Sequence, residues 1–176
     1  LAVGFANPHI PYVSPKRYWD MYKSDQIKLP LNQFPPEGAP GWALQSLAEL
    51  NSYYNVPVPL TEGFKRELIR GYLAATSYVD SQIGLLIEAL NKYGLSDNTI
   101  VIVFGDHGYQ LGEHAMWSCK HTNYETSALS LLVISVPGMK VMGQKTASLT
   151  EFTDIYPSLA EICGFKIPPH CQGRSF

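Results

Sequence analysis

The longest regular pattern in the chain is a run of mostly apolar residues, spaced three and four apart, between positions 61 and 94. That spacing places side chains on one face of an α-helix. Thr61 stands where an N-cap is expected, and Gly94 where a left-handed residue would end the helix. The pattern therefore predicts one long amphipathic helix with the following residues on one face: Phe64, Leu68, Tyr72, Thr76, Val79, Ile83, Leu86 and Leu90.

Two apolar runs rich in β-branched residues follow this helix. Residues 99–104 end at Gly105, and residues 131–136 stop before Pro137. Apolar strands beside a long helix favour a parallel sheet of the βαβ type with helices on both faces. A closing helix is predicted over residues 154–163, with Thr153 as its cap and Gly164 at its end. The fold class is therefore α/β.

The first 60 residues are organised differently, because they hold nine of the 13 prolines. Residues 1–5 are predicted to be a short buried strand, and the prolines on both sides of His9 to hold it on an extended backbone. Short helices are predicted over residues 16–22 and 42–50. Long loops of this kind are often functional, so we interpret the segment as one wall of a site.

Composition and charge exclude several classes of protein. With 45% hydrophobic and 16% charged residues the chain can form a core, which argues against disorder. A formal charge of -2 excludes a non-specific nucleic-acid binder, and no apolar run reaches the roughly 18 residues of a membrane span. The cysteines are too few for a disulfide scaffold and lack zinc-site spacing; Cys163 is expected to be buried, and Cys171 to be available to a cysteine outside the chain.

The candidate chemistry begins at the end of the strand predicted over residues 99–104. Asp106 and His107 follow it directly, between Gly105 and Gly108. Ligands of α/β sheets bind beyond the carboxyl ends of strands, and a carboxylate beside an imidazole suits a divalent cation. An isolated Asp-His pair is more often a turn with a solvated His, but further ionisable residues follow closely and favour a site: Glu113, His114, Lys120 and His121.

Several segments, taken in order along the chain, resemble the sulfatases. They are Pro8-His9-Ile10-Pro11, Tyr72 to Asp80, Asp106-His107-Gly108, Leu111-Gly112-Glu113-His114, Trp117, Lys120 to Glu125 and Pro168-Pro169. The resemblance is closest to iduronate-2-sulfatase-like enzymes and runs from Leu1 to Phe176. It implies an alkaline-phosphatase-like sandwich with a mostly parallel sheet and helices on both faces. This chain would be a partial domain, the middle-to-C-terminal part.

The resemblance also implies an activity and a set of roles. Sulfatases hydrolyse sulfate esters with a formylglycine nucleophile and a bound Ca²⁺. Asp106 and His107 match metal-site residues of the family. Lys120 matches the lysine that binds sulfate and assists the leaving oxygen, and His9 matches a histidine that hydrogen-bonds the sulfate or the leaving group. Without the resemblance, a turn histidine and a solvated lysine would be the simpler interpretations of His9 and Lys120.

The chain departs from the family pattern at three places, one of which is Ser127 to Leu131, where relatives commonly show a basic residue followed by Val-Pro. It lacks the nucleophile signature (Cys or Ser, any residue, Pro or Ala, any residue, Arg), since in Cys171-Gln172-Gly173-Arg174 the Arg falls one position early. We therefore expect the nucleophile and the paired metal-site aspartates upstream of Leu1, and this fragment alone to be inactive. The family places one residue between Trp117 and Lys120, whereas this chain has Ser118 and Cys119.

Two alternatives stay open at this point. An Asp-His pair also suits Zn²⁺ or Mn²⁺, the metals of phosphoesterases in the same superfamily. The extra residue before Lys120 is compatible with a non-catalytic, carbohydrate-binding relative.

We expect residues 1–176 to be part of a single catalytic domain. Residues 1–60 would be its proline-rich wall and loops, and residues 61–176 its helix, metal-site strand and closing helix. The partners implied are a sulfated carbohydrate, such as iduronate 2-sulfate in glycosaminoglycans, and the rest of the domain, with no nucleic acid and no membrane span. The chain carries no signal segment, and the family implies a lysosomal, secreted or periplasmic location.

Overall fold

The structure is a computed structural model, and it describes residues 1–45, 47–53, 55–140 and 142–176. Two units are distinguished by their internal contacts, Leu1–Gly138 and Met139–Phe176. Within the described ranges, none of the helices combines the length and the apolar character needed to cross a membrane.

The long helix predicted from the apolar spacing is confirmed as α2, Glu62–Lys92. The Thr61 hydroxyl accepts a hydrogen bond from the Phe64 N–H at 3.3 Å, and Gly94 adopts a φ of +66° just beyond the end of the helix. Helix α1, Lys16–Trp19, is shorter than predicted and packs against α2. Their approach is close at Gly71, where an added Cβ would lie 2.9 Å from the Trp19 side chain of α1.

The strands are present but their orientation differs from the expectation. Strand β1, Val101–Phe104, pairs antiparallel with β4, Leu132–Ser135. The parallel arrangement that the apolar runs favour does not hold for this pair of strands. A parallel pair needs a crossover of a dozen or more residues, usually a helix. The intervening segment instead holds a hairpin and helix α3, Glu125–Ala128. The Gly105 N–H donates to the Leu131 carbonyl, so β4 begins at the edge of the sheet where β1 ends.

The hairpin between β1 and β4 carries an irregularity that matters for the site. It is formed by β2, Gln110–Leu111, and β3, Trp117–Cys119. Gln110 pairs with Cys119 and Leu111 with Trp117, so Ser118 has no residue opposite it. Ser118 also has a φ of 53°. This is a β-bulge, in which one extra residue is accommodated by a local bend.

The proline-rich segment contains turns and 3-10 helices rather than the elements predicted for it. The strand expected at residues 1–5 is wrong, because no described segment pairs with it and most of its side chains are exposed. The helix predicted over 42–50 is replaced by 3-10 helices at Gly41–Ala43 and Ala48–Ser52, with Ser46 outside the described residues. A further 3-10 helix lies at Ser24–Gln26.

The core of Leu1–Gly138 joins these loops to α2 and to the hairpin. Its buried members come from distant parts of the chain: Ile10, Leu50, Leu68 and Trp117. Burying an aliphatic or aromatic side chain stabilises a fold by roughly 1.5–3 kcal/mol. The loops around Ile10 and Leu50 are therefore held by the hydrophobic effect, without regular backbone pairing.

The unit Met139–Phe176 is built around α4, Ile155–Ile162, preceded by a 3-10 turn at Phe152–Asp154. The predicted cap at Thr153 is wrong, because Glu151 and Asp154 form a reciprocal capping box instead. Gly164 has a φ of +74° and follows the helix, as predicted. Cys163 is exposed rather than buried, since it lies beyond the last helical residue.

Candidate functional site

His9 lies in a tight turn between the two prolines of its segment. Its backbone N–H donates to the Ala6 carbonyl at 3.0 Å, so the extended backbone expected here is wrong. The ring is oriented by its own neighbour, since Nδ1 lies 2.6 Å from the carbonyl oxygen of Ile10. A carbonyl only accepts hydrogen bonds, so Nδ1 carries the proton and Nε2 of a neutral ring presents its lone pair to the site.

Lys120 follows the bulge at the end of β3, and its side chain is only 11% exposed. A lysine this buried needs a partner, because an unpaired ammonium away from water is costly. The bulge accommodates the extra residue that distinguishes this chain from the sulfatase spacing between Trp117 and Lys120. The bulged residue Ser118 is held in place by Tyr12, whose hydroxyl lies 3.2 Å from the Ser118 hydroxyl. The insertion therefore does not displace Lys120 from His9.

Three side chains from distant segments meet in a triangle, which we call the His9–Glu49–Lys120 triad. The ammonium Nζ of Lys120 lies 2.7 Å from Nε2 of His9 and 2.6 Å from Oε1 of Glu49. The third side of the triangle is 3.3 Å, from Nε2 of His9 to Oε2 of Glu49. The structure thus brings together two of the residues predicted from the sequence and adds a third.

Glu49 was not predicted from the sequence. It lies in the 3-10 helix Ala48–Ser52, whose neighbour Leu50 is buried in the core. A signal was available, because Glu49 is the only charged residue between Gly38 and Thr61. A single charge in an otherwise uncharged, proline-punctuated segment is a candidate for a specific partner.

The electrostatics of the triad keep the Glu49 carboxylate ionised. Burial acts to raise the pKa of Glu49, but the hydrogen bond and positive charge of Lys120 outweigh it, with smaller contributions from His9 and His121. The pKa of Glu49 therefore lies below its ordinary value. Next to Lys120, burial and the Glu49 charge raise the pKa of the Cys119 thiol to about 11. That thiol is protonated at neutral pH and is a poor nucleophile.

Asp106 and His107 form a separate pair at the end of β1. Oδ2 of Asp106 lies 3.5 Å from Nε2 of His107, and the Asp106 side chain is 85% exposed. His107 Nδ1 lies 2.7 Å from the Gly108 carbonyl, which leaves Nε2 available. This arrangement is common for metal-ligating histidines. In the described ranges, no hydrogen bond or ion pair links Asp106 or His107 to the triad.

The donor set at Asp106 and His107 suits part of a metal site. One hard oxygen and one imidazole nitrogen face each other there, but among the described residues no group of three or more His, Cys, Asp or Glu side chains comes together around a metal position. Calcium takes six to eight oxygen-rich ligands, and tetrahedral metals take four. These two residues fit a metal ion as contributors and cannot hold it alone.

The other ionisable residues of the loop have structural partners. The His114 ring stacks on Tyr124 with centroids 4.6 Å apart. The backbone N–H of His114 donates to the Asn32 carbonyl at 2.8 Å. The carboxylate of Glu113 accepts from the Leu111 N–H at 2.8 Å. These contacts close the loop between β2 and β3, so we place neither residue in the candidate site.

A sequence comparison with protein families matches residues 1–165 to the Sulfatase family. The chain belongs to the sulfatase family. The resemblance inferred from the short motifs is thereby confirmed over almost the whole length.

Individual sulfatases are similar across the same length. Iduronate 2-sulfatase of Mus musculus is 30% identical over 100% of the chain, and a choline-sulfatase of Rhizobium meliloti is 32% identical over 95%. The chain spans 38% of the mouse protein and 32% of the Rhizobium protein. It therefore corresponds to about a third of the length of the relatives that it matches.

A solved structure supports the fold. The phosphonate monoester hydrolase SpPMH from Silicibacter pomeroyi superimposes with a TM-score of 0.77 at 29% identity, covering 96% of this chain and 34% of that one. The expected α/β, alkaline-phosphatase-like fold of the sulfatases is confirmed, with this chain as part of the domain.

Proposed function

We propose that the complete protein carrying this chain is a sulfuric ester hydrolase in which His9 and Lys120 act on the sulfate group and its leaving oxygen. The observation that carries the proposal is the 2.7 Å separation between Nε2 of His9 and Nζ of Lys120. Membership of the sulfatase family supports it. When His9 is protonated, its Nε2–H and the Lys120 ammonium are both donors, and together they provide the recognition that a sulfate oxygen requires.

The chemistry assigned to each residue follows from the charge that develops in the reaction. As the S–O bond of a sulfate ester breaks, negative charge moves onto the bridging oxygen. The Lys120 ammonium stabilises that charge, and His9 in its protonated form can deliver its Nε2 proton to the departing alkoxide. An imidazolium in general gives up its proton more readily near neutral pH than a primary ammonium does, so His9 is the better candidate for the general acid.

Asp106 and His107 are proposed as two ligands of a divalent cation, with Ca²⁺ as first choice and Zn²⁺ or Mn²⁺ as alternatives. A bound cation would neutralise sulfate charge and orient the ester. The remaining ligands, and the formylglycine nucleophile of the family, would have to come from outside residues 1–176, because the chain carries no matching signature.

The substrate class proposed is sulfated carbohydrate, with iduronate 2-sulfate in glycosaminoglycans as its example. The similarity to a protein named iduronate 2-sulfatase supports this choice. The comparable similarity to a choline-sulfatase means that family membership alone does not select the substrate. A lysosomal, secreted or periplasmic location and a role in glycosaminoglycan degradation belong to the same proposal.

Phosphonate or phosphate ester hydrolysis is the second candidate. The observation that favours it is the superposition on the phosphonate monoester hydrolase SpPMH. Sulfate, phosphate and phosphonate groups are tetrahedral anions, so the same two nitrogen donors would serve each of them.

The two candidates are separated by assaying the complete, purified protein on matched aryl esters. A 4-nitrophenyl sulfate, a 4-nitrophenyl phosphate and a phenylphosphonate monoester share similar leaving groups, so kcat/KM compares the anions directly. We expect the sulfate to be preferred, and iduronate-2-sulfate disaccharide to be turned over faster than choline sulfate. Preference for the phosphonate, with zinc or manganese found by elemental analysis, would favour the second candidate. Absence of turnover on all esters would point to a non-catalytic relative.

A further inference from the structure

Glu49 occupies a position that neither a metal site nor the attack on sulfur explains. Its two oxygens are divided between the two proposed sulfate-contacting residues, with Oε1 2.6 Å from Lys120 Nζ and Oε2 3.3 Å from His9 Nε2. Oε2 is buried and accepts no hydrogen bond from the residues that the structure describes. An acceptor buried in this state is costly unless a donor reaches it during the working cycle.

The His9 ring supplies such a donor when it is protonated. Because Nδ1 is committed to the Ile10 carbonyl, proton uptake occurs at Nε2, which faces both Lys120 and Glu49. A neutral ring accepts a hydrogen bond from the Lys120 ammonium, whereas a protonated ring can donate to Oε2 of Glu49. Glu49 therefore accepts from Lys120 through Oε1 when His9 is neutral, and it can accept from His9 through Oε2 as well when His9 is protonated.

Charge balance gives a second reason for an anion at this point. A protonated His9 and the Lys120 ammonium, with nitrogens 2.7 Å apart, would repel each other strongly in a partly buried site. The Glu49 carboxylate contacts both nitrogens and offsets that repulsion. His121 also contributes to lowering the pKa of Glu49.

The core fixes Glu49 relative to its two partners. Ile10 follows His9, Leu50 follows Glu49, and Trp117 begins the strand that leads to Lys120. All three of these neighbours belong to one buried cluster. The backbone under each triad residue is thus anchored in the same packed core, which is the support that a preorganised site requires.

We propose that Glu49 is a positioning residue, which holds the Lys120 ammonium and the Nε2 face of His9 toward a common point where the substrate anion binds. It acts through these two residues and does not itself contact the sulfur or the leaving oxygen. The inference rests on the proposed function of His9 and Lys120.

The test uses Glu49→Gln in the complete protein, because the amide keeps the size of the side chain and removes its charge. Glu62→Gln is the matched control, since Glu62 is exposed and its ion pair among the described residues is with Arg66, one turn along α2. Steady-state kinetics on a sulfate ester, ring-nitrogen NMR of labelled His9 without substrate, and thermal unfolding are measured for each. The His9 signals are assigned with a His9→Asn variant.

For Glu49→Gln we expect kcat to fall about 10- to 100-fold, because small misplacements of catalytic groups have effects of that size. KM should stay within about threefold, since the loss falls mainly on transition-state contacts. The His9 ring-nitrogen signals should shift, while Glu62→Gln should match the wild type in every measurement. If Glu49→Gln fails to fold, Glu49→Asp carries the test, with an expected loss in kcat of about three- to tenfold.

A kcat of Glu49→Gln within about twofold of the wild type, or unchanged His9 signals, would overturn the proposal. Failure of the proposed function gives a different result. In that case the wild-type protein would show no sulfatase turnover, while the His9 signals would still move in Glu49→Gln and the positioning contact would stand.

Discussion

Lys120 Nζ lies 2.7 Å from His9 Nε2, although 111 positions separate the two residues along the chain. Bringing distant segments together costs loop-closure entropy, which favourable contacts have to offset. Ile10 and Trp117, close to these residues in the sequence, share one buried cluster. The contact between the two nitrogens is therefore a product of the core, and the predictions below follow from it.

Removing the Lys120 ammonium should abolish most of the sulfatase activity proposed here. In the complete protein we expect Lys120→Met to lower kcat on an aryl sulfate about 10²- to 10³-fold, because a preorganised charge facing the leaving oxygen is lost. Lys16→Met is the control, since Lys16 is exposed and pairs with Asp20 on the surface. A Lys120→Met variant that keeps wild-type kcat would contradict the role assigned to Lys120.

Metal binding should depend on Asp106 and be separable from the triad. Asp106→Asn removes a charged oxygen ligand, so the calcium affinity of the complete protein, measured by titration calorimetry after chelation, should fall about 10- to 100-fold. Lys120→Met should leave that affinity within about threefold, because in the described ranges the triad makes no contact with Asp106 or His107. Equal calcium affinity in the wild type and Asp106→Asn would exclude Asp106 as a ligand.

Gly108 and Gly84 should respond to alanine in opposite directions. A Cβ at Gly108 would lie 2.2 Å from the Thr126 carbonyl oxygen and 2.6 Å from that of Leu129, so the backbone beside Asp106 and His107 would have to move. We expect Gly108→Ala to lower the free energy of unfolding by about 3 kcal/mol. Gly84 lies within α2 with nothing within 4 Å of its Cβ position, so Gly84→Ala should raise the free energy of unfolding by about 0.5–1 kcal/mol. Denaturant unfolding of both variants tests the pair, and equal effects would contradict the close approach at Gly108.

Acid should weaken the fold partly through Glu49. Burial acts to raise the pKa of Glu49, but Lys120 outweighs it, so the folded-state pKa lies below the ordinary 4.5. A carboxyl with a lowered folded-state pKa stabilises the fold above its unfolded-state pKa, and this stabilisation is lost as the pH falls through the folded-state pKa. Below about pH 4.5, the thermal unfolding temperature should therefore fall more steeply with decreasing pH in the wild type than in Glu49→Gln.

Thermal unfolding between about pH 7 and pH 3 measures that difference. Asp20→Asn serves as its control, because Asp20 forms an exposed surface pair with Lys16. Parallel pH curves for the wild type and Glu49→Gln would show that the Lys120 contact does not stabilise the Glu49 carboxylate.

Local patterns in the sequence were sufficient wherever the decisive interactions are short-range. The cap at Thr61, the apolar spacing and Gly94 together determine α2, because helix hydrogen bonds and capping contacts join residues only a few positions apart. The motifs around His9, Asp106, His107 and Lys120 make these residues candidates from the sequence alone, and the family that the motifs indicate is confirmed.

Only the tertiary structure decided how these elements are arranged. The antiparallel pairing of β1 and β4 depends on the path of the chain between them, which the apolar pattern of each strand does not encode. The bulge at Ser118 and the meeting of Glu49 with His9 and Lys120 depend on packing between distant segments. An isolated charged residue has no periodicity to indicate its partner. Only the packing of the core, which places Glu49 beside His9 and Lys120, identifies it as a site residue.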